Sequence, residues 1–311
     1  MKITLQRILL FATVLIGLGS CAHRGIDKTS IYANTKGASD VDTIANVPYK
    51  TVHDSILRLD IYSLKKDTTS RRPVLVYIHG GSWVGGNKSW IWSNYRQALA
   101  ESFLRAHYTV ISIDYRLADG KRWNALTELT DCRDALNWIY KHAVKYHLDV
   151  QRMGLWGTSA GAHLALVIGS EPEDSVRVRF ILDDYGPTDL NRLFRTDLSP
   201  FVVSLIKIVK PGLVRERGLM LRVFPNDNTT RLSPINRIHN GMPPVLISHG
   251  DADKLVPVKQ AYELEKQLKA NHIPYLLRIY HGEEHGLRTL TIPQVSDLTK
   301  CALSFAARYN Q

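Results

Sequence analysis

Cysteine is scarce: three residues in 311, at positions 21, 132 and 301. So few cannot staple a scaffold together, and the fold must rest on a packed core. No Cys/His spacing resembles a zinc site, so no metal is expected. Acidic residues are also short, 29 against 40 Lys and Arg, leaving a formal charge of +11. A basic surface attracts lipid headgroups, acidic polysaccharide or nucleic acid. The last is not expected, because no nucleic-acid reading motif accompanies the charge. Nothing repeats at a fixed period, which argues against a solenoid or propeller. Long apolar runs are missing as well. The run from Ile8 to Leu18 is too short for a comfortable membrane span.

That run has another use. Lys2 and Arg7 precede it and small residues follow, the layout of a secretory signal. It ends Leu18-Gly19-Ser20-Cys21, which resembles the lipobox of bacterial lipoproteins. The resemblance implies a signal peptide over residues 1–20, cleavage before Cys21 and lipidation of that cysteine. The mature protein is then expected on a bacterial membrane, facing the periplasm or the cell surface. Residues 21–47, rich in Ser, Thr, Asn, Asp, Gly and Lys, read as a flexible tether. Residues 48–311 read as one catalytic domain. Apolar spacing at Leu129, Cys132, Leu136 and Ile139 puts Cys132 on a buried helical face, and Leu298, Cys301, Phe305 and Tyr309 give Cys301 the same reading.

Within the domain, buried runs alternate with helical patterns. Residues 51–62 read as a hairpin at a sheet edge. The continuous apolar run at 74–78 reads as a strand covered on both faces, 110–113 as the next buried strand, and 153–156, 180–182, 245–247 and 276–280 as further strands. Helices are expected at 95–106, 127–146, 160–168, 258–270 and 296–309. The fold class is therefore α/β, a mostly parallel central sheet with helices on both faces. Chemistry in such sheets sits at the carboxyl ends of the strands. Those ends carry His79-Gly80-Gly81-Ser82-Trp83, Gly157-Thr158-Ser159-Ala160-Gly161, His249-Gly250-Asp251-Ala252-Asp253 and His281-Gly282-Glu283-Glu284-His285-Gly286. An amide cradle, a nucleophile, an acid and a base lie on four separate loops.

These motifs resemble the α/β-hydrolase superfamily, and within it the esterases carrying His-Gly-Gly-x-Trp and Gly-x-Ser-Ala-Gly, xylan acetyl and feruloyl esterases among them. The resemblance covers about Tyr49 to the C-terminus and includes Asp114-Tyr115-Arg116 and Val256-Pro257. It implies an α/β-hydrolase fold with Ser159 as nucleophile, His285 as general base and then acid, and Asp253 orienting the imidazole. It also implies an oxyanion hole from the backbone amides of Gly81, Ser82 and Ala160. Many relatives have a third glycine where Ser82 stands; only its amide is needed. Asp251 and His281 are the rivals of Asp253 and His285. For Asp183, Asp184 and Asp189 a capping or packing role is expected, for His163 a packed structural role, and for Arg116 a salt bridge. His79 and Trp83 shape the cradle, with core packing the alternative for Trp83.

Residues 191–240 are the expected cap insertion, with nine Lys/Arg against three Asp/Glu. Within them, residues 201–209 are apolar almost all round, either buried in the cap or lining an acyl pocket. The expected activity is hydrolysis of short-chain carboxylic esters through an acyl-enzyme, without cofactor, on a small-molecule or polysaccharide ester. The alternatives are an amide hydrolase of formamidase or peptidase type on the same triad, and a non-catalytic surface-binding protein.

Overall fold

The computed structural model describes residues 40–53, 55–65, 71–171, 176–194, 222–224 and 228–311. Eight strands form one sheet: β1 (Val41–Val52), β2 (Ser55–Leu64), β3 (Arg72–Ile78), β4 (Thr109–Ile113), β5 (Leu148–Thr158), β6 (Val178–Asp184), β7 (Val245–Gly250) and β8 (Tyr275–Tyr280). Their order across the sheet is β1-β2-β4-β3-β5-β6-β7-β8. The pairs β1/β2 and β2/β4 are antiparallel and every later pair is parallel. The helices are α1 (Tyr95–Arg105), α2 (Ala125–Lys141), α3 (Ala160–Gly169), α4 (Leu190–Phe194), α5 (Asn228–Leu232), α6 (Lys259–Ala270) and α7 (Ile292–Tyr309).

Alternation along the strands divides the core in two. Val74, Val76 and Ile78 of β3 face the side where Leu129 and Leu136 of α2 and Leu264 and Leu268 of α6 pack. Leu75 and Tyr77 face the other side, against Leu99 and Phe103 of α1 and Leu298 and Phe305 of α7. β3 and β4 are buried along their whole length, as continuous apolar runs require. Each buried large apolar side chain contributes about 1.5–3 kcal/mol, so the two faces together hold the sheet rigid.

Helix starts follow local chemistry. Asn124 caps α2 by accepting from the Leu126 and Thr127 amides, and the Thr127 hydroxyl accepts from the Asn124 amide. The cap starts this helix two residues before the pattern predicts; the helix ends at Lys141, short of the expected Tyr146.

Two expectations need correction. The tether was expected to reach Val47, with the domain starting at residue 48, yet β1 begins at Val41. This strand lies at the sheet edge and most of its first residues are exposed, so no apolar alternation marks them. Cys301 is only half-buried, at the rim of the α7 face, whereas Cys132 is fully buried; both are free thiols. The signal, Cys21 and most of the cap segment, residues 201–209 included, lie outside the described residues.

Candidate active site

The turn between β5 and α3 is tightly packed. Ser159 has φ 54° and ψ −119°, backbone that L-residues rarely adopt. Its amide donates to Asp184 O at 2.9 Å and its carbonyl accepts from His163 N at 3.1 Å, which starts the helix. A Cβ at Gly157 would lie 2.3 Å from Gly161 O, and one at Gly161 would lie 2.1 Å from Ile78 O. Only glycine lets β5, α3 and β3 meet this closely.

Ser159 Oγ lies 2.9 Å from His285 Nε2, and Asp253 Oδ2 lies 2.7 Å from His285 Nδ1. A carboxylate only accepts, so Nδ1 carries the proton and Nε2 is free to accept from the serine hydroxyl. Asp253 Oδ1 accepts from the Leu255 and Val256 amides, both at 2.8 Å. Burial favours the neutral acid, but the nearby His249 imidazole and the hydrogen bond from His285 outweigh it and hold the Asp253 carboxyl at about 2. It stays charged under any ordinary condition.

The loop after β3 presses against this serine. A Cβ on Gly80 would meet Thr158 O at 2.7 Å and Ser159 Cβ at 3.2 Å. Gly81, Ser82 and Trp83 all have positive φ, at 120°, 54° and 63°. Among the described residues nothing accepts from the amides of Gly81, Ser82 or Ala160. Ala160 opens α3, so the helix N-terminus adds its partial positive charge there. His79 is buried; it is pushed down to about 4 by desolvation, against its bond to Gly80 O, and stacks on Tyr115 at 4.2 Å. It shapes the loop as an uncharged group.

The rival residues have other partners. Asp251 Oδ2 and His281 Nδ1 lie 2.6 Å apart, so the two alternatives pair with each other at the surface. That pair ties the Asp253 loop to the His285 loop. Asp183 accepts from the Gly186 amide and Asp184 from Trp156 Nε1 and the Tyr95 hydroxyl. Burial pushes their carboxyls up to about 7 and about 6. Asp189 accepts from the Arg192 amide at the start of α4. His163 accepts from Trp83 Nε1 at 3.2 Å and donates to Leu232 O at 2.8 Å, with burial pushing it down to about 4. Phe194 and Phe224, from the described ends of the cap segment, pack edge-on against Trp83. Arg116 grips Asp131 with two hydrogen bonds.

Two contributors escape the sequence reading. Tyr185, with φ 48°, packs edge-on against the His285 ring at 5.0 Å. Its hydroxyl accepts from Arg96 and lies 3.2 Å from that of Tyr95. His249 reaches the carboxylate of Asp253 from β7, with Nε2 3.3 Å from Oδ2. The motif contains His249, but no spacing tells that two imidazoles share one oxygen. A separate cavity of 630 Å³ lies at the opposite end of the sheet, among Val178, Arg179, Met242 and Pro243; among the described residues no serine, cysteine or aspartate lines it.

With this geometry in place the relatives become informative. The family model BD-FAE matches residues 59–268, more than half of the chain. The chain belongs to the BD-FAE family. Among curated proteins it is similar to esterase LipC of Mycobacterium tuberculosis, 27% identical over 223 residues, 68% of this chain and 52% of that protein. The carboxylic ester hydrolase LipM, probable by its name and from the same organism, is 28% identical over 213 residues, 65% of this chain and 46% of that protein. The chain thus spans about half the length of these relatives. Among solved structures, a truncated carbohydrate esterase from gut microbiota superposes with TM-score 0.66 at 23% identity, over 86% of this chain and 96% of that one. Esterase B from Lactobacillus rhamnosis superposes with TM-score 0.72 at 16% identity, over 97% and 96% of the two chains. This BD-FAE member therefore has the α/β-hydrolase fold that its motifs lead one to expect.

Proposed function

We propose that this BD-FAE member is a serine hydrolase of carboxylic esters with short acyl groups, acetyl or feruloyl esters of polysaccharide being the candidates. The observation that carries the reading is the hydrogen-bonded line Ser159–His285–Asp253 beside amides that have no acceptor among the described residues. Ser159 Oγ attacks the ester carbonyl as its proton passes to His285 Nε2. The amides of Ala160, Gly81 and Ser82 take the charge that develops on the carbonyl oxygen. His285 then returns the proton to the leaving alcohol, and water repeats the sequence on the acyl-enzyme. Asp253 keeps the imidazole in the right tautomer and balances its charge throughout. The esterase names of the relatives favour ester over amide, and the carbohydrate esterase among the superposed structures favours a sugar-borne ester.

The test is a panel of nitrophenyl esters of rising chain length beside acetylated and feruloylated xylan. The expected result is a maximum at short acyl groups, together with fluorophosphonate labelling that Ser159→Ala abolishes. Well-folded protein that neither labels nor cleaves any ester removes the proposal.

The same reading extends to location. A lipid anchor on Cys21 and the formal charge of +11 fit an enzyme held at a bacterial membrane that meets anionic polymer or lipid. Incorporation of labelled palmitate that persists in Cys21→Ser protein counts against the anchor.

A further inference from the structure

His249 stands at the end of β7 with its ring fully buried. Nε2 lies 2.8 Å from Val256 O and 3.3 Å from Asp253 Oδ2. Both neighbours are acceptors, so Nε2 carries a proton. Its hydrogen bond goes to the Val256 carbonyl, and its positive end also lies close to the oxygen that receives His285 Nδ1 at 2.7 Å. The Asp253 carboxylate thus has three hydrogen-bond donors, the Leu255 and Val256 amides on one oxygen and His285 on the other, with the His249 imidazole close against that second oxygen. Among the described residues the buried His249 Nδ1 has no hydrogen-bond partner.

Other charged groups around this cluster are few. From β6 come Asp183, which His249 draws toward its ionised form, and Asp184, held by Trp156 and Tyr95. Tyr185 lies against the far side of His285, and Asp251 with His281 forms the surface pair. None of them reaches Asp253 Oδ2. The second partner of that oxygen is His249.

We infer that His249 is a positioning residue that acts through Asp253: it fixes the carboxylate in the plane His285 needs, and by taking part of the charge on Oδ2 it limits how strongly Asp253 draws a proton onto His285. This rests on the esterase reading, because the proton in question is the one taken from Ser159. The positive end of an N–H close to the same oxygen competes with His285, so removing it strengthens the bond that remains.

The experiment compares His249→Leu, which fills the space without a donor, with His249→Gln, whose terminal amide can reach where Nε2 stood. In the Leu variant the acid limb of kcat/KM is expected to move to higher pH by roughly half a unit or more. Its kcat is expected to fall about tenfold at unchanged KM. The Gln variant returns the limb to its wild-type position. In resting enzyme, the proton NMR signal of His285 Nδ1–H is expected further downfield in Leu and near wild type in Gln. That measurement needs no turnover, so it stands even if the wild type cleaves no ester tried. If His249→Leu does not fold, His249→Asn, whose amide falls short of Asp253, takes its place against Gln. A folded donor-less variant whose limb and resonance stay at wild-type positions, or move the other way, overturns the inference.

Discussion

A buried carboxylate with three donors and a buried carboxylate with one behave in opposite ways as pH changes. Asp253 is held at about 2, below its unfolded value of about 3.9. Its contribution to stability is therefore present above about pH 4 and is lost as pH falls toward 2. Asp183 is pushed to about 7, so it binds a proton in the folded state that the unfolded chain has released. Its contribution is full below about pH 4 and is lost as pH rises toward 7. Asp183→Asn keeps an oxygen for the Gly186 amide and is expected to flatten the fall in Tm over that range. Asp184, at about 6, leaves part of the slope in place. Calorimetry at intervals from pH 4 to 7 checks this, and equal slopes in the two proteins reject it. At the same scale, Ser159→Ala is expected to fold normally and to lose about 10⁵–10⁶ in kcat. Ser159, Asp253 and His285 were legible because each sits in a loop with glycine or proline at fixed offsets. The pairing of Asp251 with His281, and of His249 with Asp253, was not. Both are contacts across loops, and such contacts leave no period in the chain.

Among the elements, the junction of β3, β5 and α3 decides whether the site exists. Gly161→Ala sets a methyl 2.1 Å from the Ile78 carbonyl, and backbone cannot step aside as a flexible side chain would. The expected cost is several kcal/mol, more than most single substitutions. Gly85→Ala, whose nearest neighbour would be at an ordinary 3.6 Å, is expected to cost under about 1 kcal/mol. Urea unfolding of the two variants side by side tests the contrast; similar losses would show that crowding at the junction is not the cause. The central strands were legible because burial on both faces leaves a dense apolar run, unbroken in Val74–Ile78 and interrupted only by Ser112 in Val110–Ile113. β1 was not, because an edge strand with most of its side chains in water has no composition of its own. Its pairing with β2 supplies the order that its residues do not announce.

For the molecule as a whole, charge and architecture pull on different partners. The sheet places Ser159, Asp253 and His285 after β5, β7 and β8, at the carboxyl ends of the strands, while the formal net charge of +11 belongs to the chain as a whole. On an acidic polymeric ester, kcat/KM is expected to fall several-fold between about 0.01 M and 0.15 M salt, as the screening length shortens. A neutral nitrophenyl ester is expected to show little change. Parallel salt responses for the two substrates would remove long-range attraction from the account. Strand order across the sheet was not legible, since a run of apolar residues marks a strand without saying which strands lie side by side. One feature of the rim reaches further. Of the eleven non-glycine residues with positive φ among the described residues, five, Ser82, Trp83, Ser159, Tyr185 and Leu287, lie on the loops that meet at the serine. Strain at these five positions, above central strands buried on both faces, means that warming loosens this lip before it loosens those strands. Heat is then expected to silence the enzyme at a temperature where circular dichroism still reports an intact molecule, and cooling from that point restores it.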